Sequence, residues 1–313
     1  MTQTTREIFE KYEIRKSLKQ KLAFCDYVKN VAEKHGYKCE IEKGANKTNN
    51  IVVGDVDNAK VLYTAHYDTC AKMIIPNFIT PTNFLIYLVY QILFIAVFLG
   101  IAFGLGYACG VTFSYINLNE NVELILSTFT PVLIYFILLF ALVAGPANKH
   151  TANDNTSGVT TLIDIMTALP NELRDKVAFI FFDLEESGLL GSSAFAKAHK
   201  NIKEDKLLIN FDCVSDGETI LFALKKSTRK YEELLKQAFV SNDDCKVEIP
   251  KGFTFYPSDN MNFKGGIGVA ALKKAKRSNL LYMDRIHTKR DTVYREQNIE
   301  FLKNGAIRLA EIL

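Results

Sequence analysis

The stretch "AKVLYTAHYDTC", residues 59–70, begins as a buried strand and ends by delivering His66 and Asp68 at its tip. A second run, "KVAFIFFD" (176–183), is apolar on both faces, as a parallel strand covered by helices must be. Around these two the chain alternates. "KCEIEK" (38–43), "NNIVVGD" (49–55), "KLLINFD" (206–212), "TILFAL" (219–224) and "GVAAL" (268–272) read as further strands. Helical periodicity marks 5–36, which ends at Gly36, and also 158–169, 189–200, 229–240 and 296–313. The expected fold is α/β: a mixed, mostly parallel sheet covered by helices.

One segment breaks the pattern. None of the 38 Lys and Arg falls within residues 73–148, where Glu120 and Glu123 are the only charges. "FLIYLVYQILFIAVFLGIAFGLG" (84–106) and "LILSTFTPVLIYFILLFALVAG" (124–145) each match the ~20 apolar residues that cross a bilayer. Neither shows the polar face that a core helix of a soluble protein carries at 3.6-residue period. They read as a transmembrane hairpin with "YINLNENVE" (115–123) as its turn; Gly100/Gly104 and Gly106/Gly110 have the spacing that lets helices approach. A hairpin returns to the side it left. Residues 1–72 and 149–313 therefore read as two parts of one domain, with 73–148 inserted. Lys72 and Lys149 flank the hairpin and the connecting turn has no Lys or Arg, so the positive-inside rule places the domain in the cytoplasm.

Composition narrows the function. A net charge of +3 gives no footprint for nucleic acid, and "KKAKR" (273–277) reads as a solvated face. The six cysteines form neither a CxxC nor a disulfide framework, which suits a reducing compartment, and the N-terminus is too charged for a secretory signal.

In such sheets chemistry gathers at the carboxyl ends of the strands. Three strands deliver His66 and Asp68, Glu185 and Glu186, and Asp212; loops add Asp154 in "NDNTSGV" (153–159) and His287 in "RIHTKRDT" (285–292). Two imidazoles and several carboxylates form a nitrogen and oxygen donor set suited to zinc, with manganese or cobalt as alternatives.

The ordered elements "AHYD" (65–68), "NDNTSGV", "EESGLLGS" (185–192), "NFD" (210–212) and "IHT" (286–288) with "DT" (291–292) close behind resemble the two-zinc aminopeptidase family that also includes glutamate carboxypeptidase and glutaminyl cyclase. The resemblance implies that His66 and Asp212 bind one zinc, that Glu186 and His287 bind the other, and that Asp154 bridges both. It makes Asp68 the partner that orients His66 and Glu185 the general base. Tyr256, in "FTFYPSDN" (253–260), is the candidate donor to the oxyanion. Asn260 stands where many members have His, and the hairpin replaces a short loop. The implied function is a membrane-anchored two-zinc aminopeptidase acting on short peptides, with lipid bilayer and peptide as its partners. The alternatives are glutaminyl cyclisation, carboxypeptidase action or deacylation on the same fold, or a binding protein without catalysis.

Overall fold

A computed structural model describes residues 1–116 and 118–313; Asn117, in the expected hairpin turn, lies outside the described residues. The chain divides into two compact units, one formed by Met1–Asn83 with Ala147–Leu313 and the other by Phe84–Pro146.

The first unit is built on strands β1 (Cys39–Lys43), β2 (Asn49–Val53), β3 (Val61–His66), β4 (Val177–Phe182), β5 (Leu207–Phe211), β6 (Thr219–Ala223), β7 (Lys246–Glu248), β8 (Gly266–Lys274) and β9 (Leu281–Tyr282). Among the described residues they form one sheet in the order β1-β2-β4-β3-β5-β8-β6-β7, with β9 on β8. The central four, β4-β3-β5-β8, are parallel. Antiparallel pairs flank them, β1 with β2, β2 with β4, and β6 with β8. Every residue of β3, β4 and β5 is buried. Their side chains alternate between two layers: Val177, Phe179 and Phe181 join one core cluster, while Ala178, Ile180 and Phe182 join the other. This period of two lets one strand serve helices on both faces.

The N-terminal periodicity splits into α1 (Gln3–Lys11) and α2 (Leu18–Lys34). Ser17 starts α2 by accepting from the Gln20 amide while the Gln20 side chain accepts from the Ser17 amide, a reciprocal cap that stops the helix from extending backwards. The six residues between them, 12–17, leave the helical path. With α5 (Gly158–Ala168) and α9 (Glu296–Ile312), α1 and α2 cover one face of the sheet; α6 (Leu190–Ala198) and α7 (Lys200–Asp205) cover the other. α8 (Glu232–Ala238) completes the first layer.

Residues 73–83, expected to belong to the insertion, are part of the first unit. Met73 N donates to His287 O at 2.7 Å, and Ile79 pairs with Met283. An antiparallel bridge between Ala71 and Ala147 joins the two ends of this unit across the insertion.

The second unit consists of α3 (Phe84–Ser114) and α4 (Glu120–Ala144). Their most apolar windows have mean hydropathy 2.5 and 2.3, so both helices are long and apolar enough to cross a membrane. The helices pack on each other at Gly106, where a Cβ would come within 2.4 Å of Pro131, and Gly110 lies over Ser127. A side chain at Gly100 or Gly104 would meet nothing within 4 Å among the described residues, so only the second glycine pair serves close approach. Large apolar side chains such as Leu93, Phe103, Phe129 and Phe140 face outward.

Candidate metal centre

Parallel pairing puts the ends of β4, β3 and β5 side by side, with His66 opposite Phe182 and Thr64 opposite Asn210. His66 therefore emerges between the turn carrying Glu185 and Glu186 and the turn that starts at Asp212. The fourth contributor is the kinked turn Ala152–Ser157 ahead of α5. Asn155 holds it there by donating to His66 O (3.2 Å) and Phe211 O (3.1 Å), while its own side-chain oxygen accepts from Gly158 N and Cys213 N. A side-chain amide offers both donors and acceptors at one position, which is why Asn suits it. Gly158 is needed because a Cβ would sit 2.3 Å from Phe211 O.

The donor atoms converge in two pairs that share one carboxylate. Asp154 Oδ1 lies 3.3 Å from His66 Nε2, and Asp154 Oδ2 lies 2.9 Å from His287 Nε2. Asp212 Oδ1 is 3.5 Å from the first imidazole, and Glu186 Oε2 is 3.3 Å from the second. These separations suit donors around a tetrahedral ion, which lie roughly 3.3 Å apart when bonds are about 2.0 Å long. Two further observations fit a cation. Among the described residues, Glu186 Oε1 and Asp212 Oδ1 are buried without a hydrogen-bond partner. His66 also lies with Glu185 and Glu186 in a group whose donor atoms are all within 4.8 Å, as Cys70 does with Glu186 and His287. The residues fit divalent-metal binding.

Electrostatics record the same crowding. Burial lowers the basicity of His66, but Glu185, Asp154, Asp212 and Asp68 outweigh it and hold the imidazole well above its ordinary pKa. His287 is raised to about 9, burial being overcome by Glu186 and Asp154. Burial raises Glu186 to about 8, opposed by His287 and reinforced by Asp154. Burial likewise raises Glu185 well above the usual carboxylate range. Asp154 goes the other way because hydrogen bonds from His287 and His66 overcome its burial. A site that stores protons against like charge releases them when a cation takes their place.

Asp68 and Asp291 fix the backbone behind these donors. Asp68 accepts from Glu185 N (3.0 Å) through one oxygen and from Glu186 N (3.2 Å) through the other. Asp291 accepts in the same way from Asn153 N (2.7 Å) and Asp154 N (3.0 Å). Asp68 also lies beside His66, whose Nδ1 is 3.1 Å from Asp68 O and 3.6 Å from its carboxylate. His287 Nδ1 instead meets Met73 Sδ at 3.3 Å. Leu184, Cys213 and His287 have φ of 54°, 56° and 62°, left-handed conformations that non-glycine residues adopt at a cost and that cluster here around the site.

Of the residues read from sequence, His66, Asp154, Glu185, Glu186, Asp212 and His287 come together, with Asp68 beside them. Tyr256 does not present a free hydroxyl. It is buried, and its OH donates to Asp212 O at 2.9 Å, which ties down the turn carrying Asp212. Sequence reasoning missed Asp291, whose only signal was the "DT" after "IHTKR", and Asp259, a buried carboxylate pushed up to about 7 by burial. It also missed Arg15, which no motif marks.

The model of Peptidase family M28 matches residues 139–310, more than half of the chain. The chain belongs to this family. The matched segment of this M28 member contains Asp154, Glu185, Glu186, Asp212 and His287; His66 and Asp68 precede it and are brought in by the sheet. No curated relative matches the sequence. Among solved structures, the LapA aminopeptidase of Legionella pneumophila superposes with TM-score 0.56 at 13% identity, covering 98% of this chain and 69% of that one. A glutaminyl cyclase of Porphyromonas gingivalis gives 0.55 at 13%, covering 98% and 95%. A Zn-dependent exopeptidase of Parabacteroides distasonis gives 0.53 at 14%, covering 98% and 97%. At these identities the likeness is one of fold.

Proposed function

We propose that this M28 member is a two-zinc aminopeptidase acting on short peptides and anchored in a membrane by α3 and α4. The observation that carries the reading is Asp154, whose two oxygens each face a different imidazole. In this reading His66 and Asp212 hold one ion, Glu186 and His287 the other, and Asp154 both. When bound, such a pair supplies positive charge that polarises a carbonyl and brings the pKa of water toward neutrality. Glu185 takes the proton of the attacking water and returns it to the leaving nitrogen as the C–N bond breaks. Asp68 keeps Glu185 and its neighbour aimed apart by holding both amides. Tyr256 acts by fixing the Asp212 turn.

The test is metal analysis of the full chain in detergent, together with product identification on a peptide library with free, acetylated and amidated ends. The expected result is two divalent ions per chain and loss of single residues from free amino ends only. Shortening from the carboxyl end would make it a carboxypeptidase. The structures that share this fold include glutaminyl cyclases, which favours cyclisation as the second reading. That reading would win if peptides beginning with glutamine lost ammonia without losing a residue. A folded, metal-loaded protein inert on every peptide would be a binding protein.

The hairpin reading is tested separately. With native cysteines removed, a membrane-impermeant thiol reagent applied to intact cells should label a cysteine at Asn119 and spare one at the exposed Ser227 until the cells are opened. The reverse pattern would put the peptidase unit outside the cell.

A further inference from the structure

Arg15 is fully buried, in the break between α1 and α2. Its guanidinium reaches both segments that carry candidate ligands. Nε donates to Tyr67 O, the carbonyl between His66 and Asp68, at 2.5 Å. Nη1 and Nη2 each lie 3.3 Å from the Thr156 hydroxyl, two residues after Asp154. Nη1 also donates to Tyr12 O and Glu13 O. The main chain repeats the link, since Arg15 N donates to the Thr69 hydroxyl (3.0 Å) and Thr69 N donates to Arg15 O (3.3 Å). On the other side, Thr151 donates to Glu13 O at 2.8 Å and its hydroxyl lies 3.1 Å from that of Thr156.

A buried guanidinium is costly unless its donors are met and its charge is opposed. Carbonyl and hydroxyl oxygens meet the donors here. The opposing charge comes from Asp68, Glu13 and Asp154, two of which belong to the metal centre. An anchor for the N-terminal segment alone could have been apolar. A planar fork that spans the tip of β3 and the Asp154 turn sets the separation between His66 and Asp154, and it does so from behind, without occupying a donor position.

We propose that Arg15 is a positioning residue for the metal centre. It holds His66 against Asp154 and supplies a fixed positive charge to a cluster with surplus carboxylates. The inference rests on the metal reading above and adds that the ion between His66, Asp154 and Asp212 depends on residues 12–16, which lie outside the segment matched to the family.

The test uses the full chain in detergent and measures zinc affinity by competition with a chromophoric chelator, kcat and KM, and thermal unfolding of the zinc-free protein. Arg15→Met is expected to weaken one of the two zinc ions by about 10–100-fold, the range for partners that orient metal ligands. Arg15→Lys, which restores the charge without the fork, should recover part of that loss. Thr156→Val removes the contact on the Asp154 side and keeps the charge. It should weaken the same ion less than Arg15→Met does, and the double variant should be no weaker than Arg15→Met alone, because both act through one contact. A merely structural role predicts a lower unfolding midpoint with both zinc affinities unchanged. That result in Arg15→Met, or in Thr156→Val if Arg15→Met does not fold, overturns the proposal. Wild-type protein that takes up no zinc overturns the metal reading and this inference together, whereas two zinc ions insensitive to these variants overturn this inference alone.

Discussion

Glu185→Gln is expected to lower turnover by about 10²–10⁴-fold, the usual contribution of a positioned general base, while leaving zinc content and fold unchanged. The separation follows from how the side chain is held. The Glu185 amide is fixed by Asp68 and is untouched by the substitution. The two imidazoles that face Asp154 do not depend on Glu185 for their placement. Glutamine keeps the length and shape but cannot accept the proton of the attacking water. The measurement is single-turnover cleavage by wild-type and variant protein loaded with equal zinc. Cleavage within a few-fold of wild type would remove Glu185 from the mechanism. Lost zinc would mean that it acts as a ligand instead.

Asp154→Ala is expected to weaken both ions by over a hundredfold each, whereas changing any of the other four candidate ligands should chiefly weaken one. A structural zinc ion gains about 10–16 kcal/mol from roughly four ligands, so one ligand is worth about 3 kcal/mol, or over a hundredfold in affinity. On the proposed reading Asp154 would supply that to each of two ions, since its two oxygens face different imidazoles. Titration of the metal-free proteins with zinc, followed calorimetrically, distinguishes the outcomes. An Asp154→Ala protein that still binds one ion with wild-type affinity would show that the carboxylate serves a single position.

The residues whose chemistry is explicit were the legible ones. Singly each had an ordinary structural reading, as Asp183 at the tip of β4 shows by pairing with Lys21, but His66, Asp154, Glu185, Glu186, Asp212 and His287 stood out together at strand ends and loops in the order of a known family. The two long apolar helices were legible because their runs carry no charge and no polar face to interrupt them. Features resting on the main chain were not legible. Tyr256 was expected to offer its hydroxyl to substrate, but the Asp212 carbonyl takes it, and carbonyls look alike in every sequence. Arg15 sits among charged neighbours that share its helical periodicity, and only the break before Ser17 shows it turning inward. The antiparallel flanks of the sheet were equally hidden, since β2 and β6 satisfy the same apolar pattern in either direction. Residues 73–83 were assigned to the hairpin because they lack charge, yet their hydrogen bonds run to His287 and Met283.

The strand order has a consequence for how the chain is made. β3 is complete at His66, but both of its neighbours, β4 and β5, follow the two long apolar helices in the chain. Synthesis runs from the amino end, so a nascent chain stopped anywhere before Val177 carries β3 with both edges unpaired. Of the early strands only β1 and β2 can pair with each other during that time. The apolar hairpin is therefore finished before the sheet can begin to close around β3. Both edges of β3, a fully buried strand in the finished sheet, are therefore open through the whole interval in which the hairpin emerges, and unpaired strand edges are sites of aggregation.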